Sequence, residues 1–323
     1  MLVGTSSPPP RTIEELLGPE LAARLDRLDL LSRKILSGKL PGERRSKRRG
    51  RSVEFDDFRN YVPGDDLRHI DWNIFARLDR LFVKLFREEE DLALHLVIDC
   101  SASMDVGTPN KMIFAHRLAM ALGYVGLVNH NRVAVTTFGA HGAGVAALTP
   151  IRGRTNIQRL ARFLLGSLSE RNRDAGDPKA TFREAMRIVG GARSSRGVMV
   201  VISDFLIPGG CDDGLLYLGA GALSGTLDCY CLQVLSPGEL DPTREQGRGL
   251  VGDLRLTDVE TGKAAEVTVT PATIARYKQA LKAAIDELKR DCRSRGLAHF
   301  VVPTDTAIDQ LILGSLRRGG LLR

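Results

Sequence analysis

From residue 92 onward, short runs of apolar residues alternate with longer stretches in which apolar residues recur at helical spacing. Runs of strand length occupy residues 92–98, 132–138, 142–148, 197–203, 227–235 and 298–303. Helical patterns lie between them, over residues 110–129, which we expect to form a long amphipathic helix, and over 155–168, 181–192, 214–225 and 270–296. Buried strands that alternate with helices are typical of a parallel sheet covered on both faces. The pattern therefore predicts an α/β fold with a doubly wound, mostly parallel sheet.

The residues before 92 and one later stretch break this alternation. Leucines at three- and four-residue spacing predict an N-terminal helix over residues 12–37. Residues 52–90 contain two strand-like pieces around a loop, and residues 249–270 predict a β-hairpin insertion around ETGK. We expect this hairpin to pack near residues 52–90 as a small β appendage. The predicted organisation is a disordered tail (1–11), an N-terminal segment of helix, basic linker and β structure (12–91), the main domain (92–315) and a basic tail (316–323).

Composition places the chain among ordinary globular proteins. It has 323 residues, 43% of them hydrophobic and 26% charged, with a formal net charge of +7 at pH 7, which allows a sizeable core. The five cysteines match no zinc-site or disulfide spacing, which indicates a reducing compartment. The N-terminus lacks the apolar stretch of a signal peptide, and no run of about 18 apolar residues occurs. We therefore expect a cytoplasmic protein without a membrane span.

One strongly basic stretch offers a surface for an acidic partner. Residues 43–51, ERRSKRRGR, hold six lysine or arginine residues in nine. Such a run fits electrostatic contact with nucleic acid, or else a solvated linker or a dock for an acidic protein. The run contains no aromatic side chain that could stack on bases, which disfavours nucleic acid as the partner.

Polar side chains follow two of the predicted strands at the points where those strands end. The segment HLVIDCSASMDVG places Asp99 at the end of one strand, with Ser101 and Ser103 at alternate positions after it, and Asp204 ends the strand in VVISDFL. In a sheet of strand order 3-2-1-4-5-6 these two strands are neighbours where the order reverses, which is where ligands bind in such folds. Two carboxylates at one place repel each other unless a cation lies between them. Because all four side chains offer hard oxygen atoms, the sequence predicts a Mg²⁺ site, with Mn²⁺ as the other candidate, whose coordination shell the protein fills only partly.

Resemblances to two known protein families extend this prediction. The pattern Asp99-x-Ser101-x-Ser103 after an apolar strand resembles the metal-ion-dependent adhesion site of von Willebrand factor type A domains. A second resemblance, to the bacterial family called domain of unknown function 58, covers about residues 20–315. It is carried by RRGRSVEFDDFRNYVPGDDLRHIDWNIFARLDRLFVKLFREEEDLALHLVIDCSASM, VVISDF, LRLTDVETGK and RSRGLAHFVVPTD. The resemblance implies a von Willebrand factor type A-like fold, a role beside a MoxR-type AAA+ ATPase, and no known catalytic activity.

The resemblance also implies that a threonine from a second loop completes the metal site. Thr181 in DPKATFREAM matches by position, although lysine and alanine replace the small or glycine-rich lead-in that is usual there. Thr155 in GRTNIQRL is a weaker candidate. Thr181 also has an ordinary alternative role, as the N-cap of a capping box with Glu184. The predicted metal ligands are therefore Asp99, Ser101, Ser103, Thr181 and Asp204.

We expect a non-catalytic, Mg²⁺-dependent protein-binding module. An acidic side chain of a client protein would complete the coordination shell of the metal, and a MoxR-type AAA+ ATPase would act with the module in remodelling or assembly of the client. The chain has no P-loop of the form G-x-x-x-x-G-K-[ST], so any ATP hydrolysis must come from the partner. Two alternatives stay open, namely a Mg²⁺-dependent hydrolase that uses the same aspartates and nucleic-acid binding through residues 44–51. The segment GDDLRHIDW (64–72) could hold a second metal or an acid–base pair. A turn whose acids pair with Arg59, Arg68 and Arg77 is favoured.

Overall fold

The central feature of the fold is a six-stranded sheet with helices on both faces. The structure, a computed structural model, describes residues 8–30, 55–86, 92–140, 144–169, 177–191, 197–223, 227–243, 252–257 and 264–322. Its strands are β1 (Phe55–Asn60), β2 (Phe82–Phe86), β3 (Ala93–Asp99), β4 (Arg132–Phe138), β5 (Val145–Arg152), β6 (Gly197–Ser203), β7 (Leu227–Leu235), β8 (Gly252–Thr257), β9 (Ala264–Val269) and β10 (Ala298–Pro303). Its α-helices are α1 (Ile13–Leu16), α2 (Pro19–Leu25), α3 (Trp72–Leu78), α4 (Lys111–Val128), α5 (Ile157–Ser169), α6 (Pro178–Gly191), α7 (Asp212–Leu223), α8 (Pro237–Leu240), α9 (Pro271–Ser294) and α10 (Ile308–Gln310), and α10 continues into a π-helix over Leu311–Leu316.

The chain divides into two compact units, one of residues 1–37 with 92–323 and one of residues 38–91. The predicted grouping of residues 12–91 as one segment is therefore wrong for its first part. Leu16, Leu25 and Leu30 are buried in the core of the larger unit, which explains why this stretch packs with the main domain. Residues 1–7 of the predicted tail and the basic run 44–51 lie outside the described residues.

The strand order of the main sheet is β10-β7-β6-β3-β4-β5. Counted from β3 as the first strand, this is the 3-2-1-4-5-6 order that the sequence predicts, and the order reverses between β3 and β6. Neighbouring strands are parallel except for β5, which pairs antiparallel to β4. The predicted doubly wound, mostly parallel sheet is thus confirmed.

Each face of the sheet carries its own core. Leu96 and Ile98 of β3 belong to a cluster with α4, α5 and the N-terminal helices. Val97 of the same strand and Val201 of β6 belong to a second cluster with α6, α7 and α9. Burial on both faces explains why β3 and β6 are continuous apolar runs in the sequence instead of alternating ones.

Helix α4 is buried nearly all round, so the prediction that it is amphipathic is wrong. The sheet, α5 and the two N-terminal helices pack against it on different sides. It is also the one helix in the described part of the chain that is long and apolar enough to cross a membrane, but 83% of that stretch is buried inside the protein. A helix that is apolar on every side is typical of a protein core as well as of a membrane span.

The N-terminal helix predicted over residues 12–37 is two short helices within the described residues. Gly18 precedes Pro19, which is the first residue of α2. A proline has no N–H to continue the hydrogen-bond ladder of a preceding helix, so the chain stops after α1 and starts again.

The predicted basic tail over residues 316–323 is also wrong, because most of this stretch is part of the core. Leu316, Leu321 and Leu322 are all buried. Leu322 forms an isolated antiparallel bridge with Leu30, so the last described residues pack against the N-terminal segment of the same unit.

The smaller unit is built on a hairpin. The two predicted strand-like pieces are strands β1 and β2, which pair antiparallel, and the unpredicted helix α3 lies between them in the chain. The acids of the GDDLRHIDW segment are ion-paired: Asp65 with Arg59 at 2.5 Å, Asp66 with Arg68 at 2.7 Å and Asp71 with Lys84 at 3.0 Å. The favoured prediction of ion-paired acids is confirmed, except that Lys84 replaces Arg77 as the partner of Asp71.

A second hairpin, of β8 and β9, belongs to the larger unit. The two strands pair antiparallel, which confirms the predicted insertion, and the predicted turn at residues 258–263 lies outside the described residues. Within the described residues each hairpin is a two-stranded sheet of its own, and the packing of the two hairpins as one β appendage stays a prediction.

Candidate metal centre

Three strand ends meet at one edge of the sheet, beside the point where the strand order reverses. Asp99 is the last residue of β3 and pairs in register with Phe138, the last residue of β4. Strand β6 lies on the other side of β3 and ends at Ser203, directly before Asp204. Asp99 is 3% exposed and Asp204 is 2% exposed. The structure thus brings both predicted aspartates to one edge, and both are buried there.

The loop after β3 folds back on Asp99. The Ser101 N–H donates to Asp99 Oδ1 at 2.9 Å, which closes a tight turn on the carboxylate. Ser101 Oγ and Ser103 Oγ are 3.1 Å apart, so alternate positions in the sequence place two hydroxyl oxygens side by side. On the other carboxylate oxygen, the Ser203 hydroxyl donates to Asp99 Oδ2 at 2.6 Å. Asp99, Ser101 and Ser103 therefore form one cluster of oxygen atoms, and their role as metal ligands stays a prediction.

A glycine just after β4 allows this loop to approach the sheet closely. Gly139 has a φ of +82°, a conformation that other residues rarely adopt. A Cβ atom at this position would lie 2.9 Å from Ser101 N and 3.2 Å from Ser101 Cα. The Cys100 N–H donates to Phe138 O at 2.8 Å, which continues the pairing of β3 with β4 for one more residue. These contacts fix the backbone from which the Ser101 hydroxyl projects.

Burial makes the Asp99 carboxylate costly to ionise. The loss of solvent, and after it the negative charge of Asp204, raise the pKa of Asp99 from 3.8 to about 6, although hydrogen bonds from Ser101 and Ser203 act in the opposite direction. Among the residues that the structure describes, no basic side chain forms an ion pair with Asp99. Either a proton or a divalent cation would relieve this cost.

The surroundings of Asp204 differ from the prediction. Its Oδ2 accepts a hydrogen bond from Lys111 Nζ at 2.9 Å, and its Oδ1 accepts one from Leu206 N at 3.1 Å. The prediction of two uncompensated carboxylates is therefore wrong for Asp204, because a buried ammonium group neutralises it. Direct coordination of a metal by Asp204 would require Lys111 to give up this bond, and the role of Asp204 as a ligand stays a prediction.

Lys111 also contacts a third acid, Glu239. Its Nζ donates to Glu239 Oε1 at 2.6 Å, and the lysine side chain is only 1% exposed. Burial alone would lower the pKa of Lys111, but the charges of Asp204 and Glu239 together outweigh it, so that the pKa is raised. Sequence reasoning missed both residues. The available signals were a lysine at the start of a long apolar helix and the spacing of Glu239 from Ser236 in a capping box.

Thr181 lies inside α6 and not at its N-cap. The helix begins at Pro178, the Asp177 carboxylate accepts a hydrogen bond from Lys179 N at 3.0 Å, and the Thr181 N–H donates to Asp177 O at 2.9 Å. The alternative capping box of Thr181 with Glu184 is therefore wrong, because Asp177 already caps the helix one turn earlier.

Aromatic contacts hold the start of α6 against the same edge of the sheet. The ring of Phe182 lies 5.9 Å from that of Phe138 and 6.0 Å from that of Phe205. Phe138 ends β4, and Phe205 directly follows Asp204. Thr181, beside Phe182, is 8% exposed, so it is buried close to the strand ends. Its role as a metal ligand stays a prediction.

Thr155, the weaker candidate, lies at the opposite edge of the sheet. Because β5 runs antiparallel to β4, its last residue, Arg152, pairs with Arg132 at the start of β4. Arg132 in turn pairs with Ala93 at the start of β3. Thr155 follows Arg152 by three residues and is therefore far from Asp99, which excludes it as a ligand of the same metal.

The donor set of this edge fits a hard divalent cation. Carboxylate and hydroxyl oxygens suit Mg²⁺ or Mn²⁺ better than a metal that prefers nitrogen or sulfur. Across the described ranges, no group of three or more His, Cys, Asp and Glu side chains could hold a metal ion. A site here therefore depends on serine hydroxyls and water as well as on carboxylates.

Comparison with solved structures finds several chains of low sequence identity that match part of this chain. The hypothetical protein BatB from Bacteroides thetaiotaomicron is 15% identical over 70% of this chain and 98% of its own, with a TM-score of 0.40. A von Willebrand factor type A protein from Catenulispora acidiphila is 18% identical over 63% of this chain and 44% of its own, with a TM-score of 0.32. Manganese-loaded TRAP protein from Plasmodium vivax is 15% identical over 44% of this chain and 57% of its own, with a TM-score of 0.32.

Comparison of sequences finds relatives along nearly the whole chain. The uncharacterized protein Rv1480 of Mycobacterium tuberculosis is 28% identical over 319 residues, which cover 97% of this chain and 95% of the relative. The uncharacterized protein Mb1516 of Mycobacterium bovis gives the same values. The family profile described as protein of unknown function DUF58 matches residues 57–302, a range that includes Asp99, Lys111, Asp204 and Glu239.

Proposed function

The chain belongs to the family of proteins of unknown function DUF58, and we propose that it is a non-catalytic protein-binding module whose contact with its partner depends on Mg²⁺. Asp99, Ser101 and Ser103 would hold the ion, with Thr181 and Asp204 as further candidate ligands. An acidic side chain of the partner would complete the coordination shell.

The observation that carries the proposal is the state of Asp99. This carboxylate is 3% exposed and accepts hydrogen bonds from the Ser101 N–H and the Ser203 hydroxyl, but no basic side chain in the described part of the chain pairs with it. Two hydrogen bonds offset only part of the cost of burying a charge. A divalent cation beside Asp99 would supply the missing positive charge.

The small number of protein oxygens suits a binding role. Mg²⁺ prefers six oxygen ligands and keeps several waters when a protein supplies few. When bound, the ion would supply a fixed positive charge that attracts a carboxylate. Asp99 and the two serines would hold it at a buried strand end, and the remaining positions are then available to water and to an acidic side chain from outside.

The bonds of Asp204 favour binding over the hydrolase alternative. Both of its side-chain oxygens are engaged, one by Lys111 Nζ and one by Leu206 N. An aspartate whose oxygens are held in this way is poorly placed to act as the general base that a Mg²⁺-dependent hydrolase would need.

For the partner, we propose a MoxR-type AAA+ ATPase and a client protein that offers the acidic side chain, both in the cytoplasm. The chain carries no P-loop, so any ATP-driven step needs a second protein. The choice of ATPase is supported by the family resemblance of the sequence alone.

Affinity capture tests this proposal. The immobilised chain is mixed with the purified MoxR-type ATPase of the same organism, or with a lysate containing clients, in Mg²⁺ or in EDTA. We expect bound protein to fall about tenfold or more in EDTA and in the double variant S101A/S103A, because the metal contact is lost. The control S169A removes an exposed hydroxyl that bonds only within its own helix and should behave like the wild type. Equal capture under all these conditions would overturn Mg²⁺-dependent binding.

A further inference from the structure

A buried ammonium group links the candidate metal site to the residues after β7. Lys111 is 1% exposed and donates to Asp204 Oδ2 at 2.9 Å and to Glu239 Oε1 at 2.6 Å. Lysine is rarely buried to this extent. The first residue of a helix is also an unfavourable place for a cation, because the helix N-terminus carries a partial positive charge. Lys111 at the start of α4 therefore depends on both carboxylates.

Glu239 is oriented so that one oxygen faces Lys111. Its Oε2 accepts hydrogen bonds from Ser236 N at 2.7 Å and from Ser236 Oγ at 2.9 Å, within the capping box that begins α8. The backbone O of Glu239 accepts a further bond from Tyr277 OH at 2.9 Å. These bonds hold Glu239 independently of Asp204 and leave Oε1 for the lysine.

Asp204 is held in a complementary way. Its backbone O accepts a hydrogen bond from Gln233 Nε2 at 2.9 Å, and its Oδ1 accepts one from Leu206 N at 3.1 Å. Its Oδ2 accepts the bond from Lys111. If a metal ion coordinated Asp204, Oδ2 is therefore the oxygen that would exchange its hydrogen bond from Lys111 for a bond to the metal.

The charges of this group do not balance within the described part of the chain. The carboxylates of Asp204 and Glu239 both contact one ammonium group, and the negative charge of Asp204 acts on the buried carboxylate of Asp99. When all are ionised, two negative charges remain, which is the charge of one divalent cation. A cation beside Asp99 and the ammonium of Lys111 would repel each other and compete for Asp204.

We propose that Lys111 is the internal counter-ion of this site. It neutralises Asp204 in the metal-free protein, it weakens the binding of the divalent cation, and it is retained by Glu239 alone when the cation takes Asp204. This inference rests on the proposed metal site and identifies the residues that set its affinity.

Two variants of the chain test the role of Lys111, with Mn²⁺ alone as the probe and its free concentration followed by electron paramagnetic resonance. K111M should bind Mn²⁺ about tenfold more tightly than the wild type, because a competing positive charge is removed. In EDTA it should melt at a lower temperature than the wild type, since Asp204 loses its partner, and Mg²⁺ should raise its Tm by a larger amount. The control K84M removes a half-buried lysine of the smaller unit that pairs with Asp71 and should leave Mn²⁺ binding unchanged.

The second variant, E239Q, keeps the pair of Lys111 with Asp204. It tests whether Lys111 competes with the cation even if K111M does not fold. It should bind Mn²⁺ several-fold more weakly, because Lys111 loses its charged alternative acceptor. A wild type that binds Mn²⁺ with the same affinity as K111M and E239Q would overturn the inference and leave the proposed metal site standing. Absence of Mn²⁺ binding by all of the variants and the wild type would overturn the metal site itself, and the inference with it.

Discussion

At the scale of single residues, the carboxyl group of Asp99 makes the stability of the metal-free chain depend on pH. Its pKa is about 6 in the folded chain against an ordinary value of 3.8, so the folded state holds this proton more strongly than the unfolded state. Below about pH 4 both states are protonated and ionisation costs nothing. Stability then falls as the pH rises from about 4 to about 6, and above about pH 6 the full cost, roughly 3 kcal/mol, is present.

The variant D99N should reveal this cost, because asparagine is neutral at every pH. In EDTA at about pH 7 we expect D99N to be more stable than the wild type by about 1–3 kcal/mol, with the difference shrinking towards about pH 4. Urea unfolding of both proteins across this range measures it. The control D241N should change stability in the opposite direction. The hydrogen bond from Lys278 lowers the pKa of Asp241 to about 2, so the ionised carboxylate stabilises the folded chain and its replacement should destabilise it at about pH 7. If the difference in the free energy of unfolding between D99N and the wild type stayed constant with pH, the raised pKa of Asp99 would be contradicted.

The residues of the candidate site differ in how far the sequence could reveal them. Asp99, Ser101 and Ser103 lie within five positions, and a loop that follows a strand must leave the sheet at that strand's end, so their proximity could be predicted. Asp204 could be placed by the strand-order rule. Lys111 and Glu239 could not, because only the folded chain brings a lysine of one helix between acids from two other segments.

At the scale of secondary-structure elements, the close contact between the end of β4 and the loop after β3 is needed to position Ser101. G139A should destabilise the chain by about 1–3 kcal/mol, because the left-handed backbone disfavours alanine and its Cβ would lie 2.9 Å from Ser101 N. It should also reduce any rise in Tm caused by Mg²⁺. Thermal and urea unfolding in Mg²⁺ and in EDTA measure both effects.

The matched control for this substitution is G166A in α5. A Cβ at Gly166 meets nothing within 4 Å, and alanine is the better helix former by about 1 kcal/mol, so this variant should be slightly more stable than the wild type. If G139A were as stable as G166A, the close approach of the two loops would be refuted.

The elements themselves show which physical signals a sequence carries. The inner strands β3, β6 and β7 were predictable because burial on both faces requires continuous apolar runs. The direction of β5 was not, because an apolar run is the same in either direction. The all-round burial of α4 was also hidden, since part of its cover comes from α1 and α2, which lie far upstream in the chain.

At the scale of the whole molecule, one tryptophan distinguishes the two compact units. Trp72 is the only tryptophan of the chain, belongs to the unit of residues 38–91 and is 60% exposed. We expect acrylamide to quench its fluorescence strongly in the folded chain, although less than in the urea-unfolded chain, because most of the residue is open to solvent while Phe75 packs against the indole ring. Stern–Volmer plots of the two states compare them directly. Weak quenching in the folded chain would show that this side chain is covered.

Strand β5 forms one margin of the main sheet, and its sequence discourages another strand from joining there. Pro150 lies within it and has no N–H to offer a neighbour, and the register with β4 shifts between Val133 and Val135. Irregular, proline-containing margins are a common protection against the addition of foreign strands. Concentrated solutions of this protein should therefore resist polymerisation through this side of the sheet.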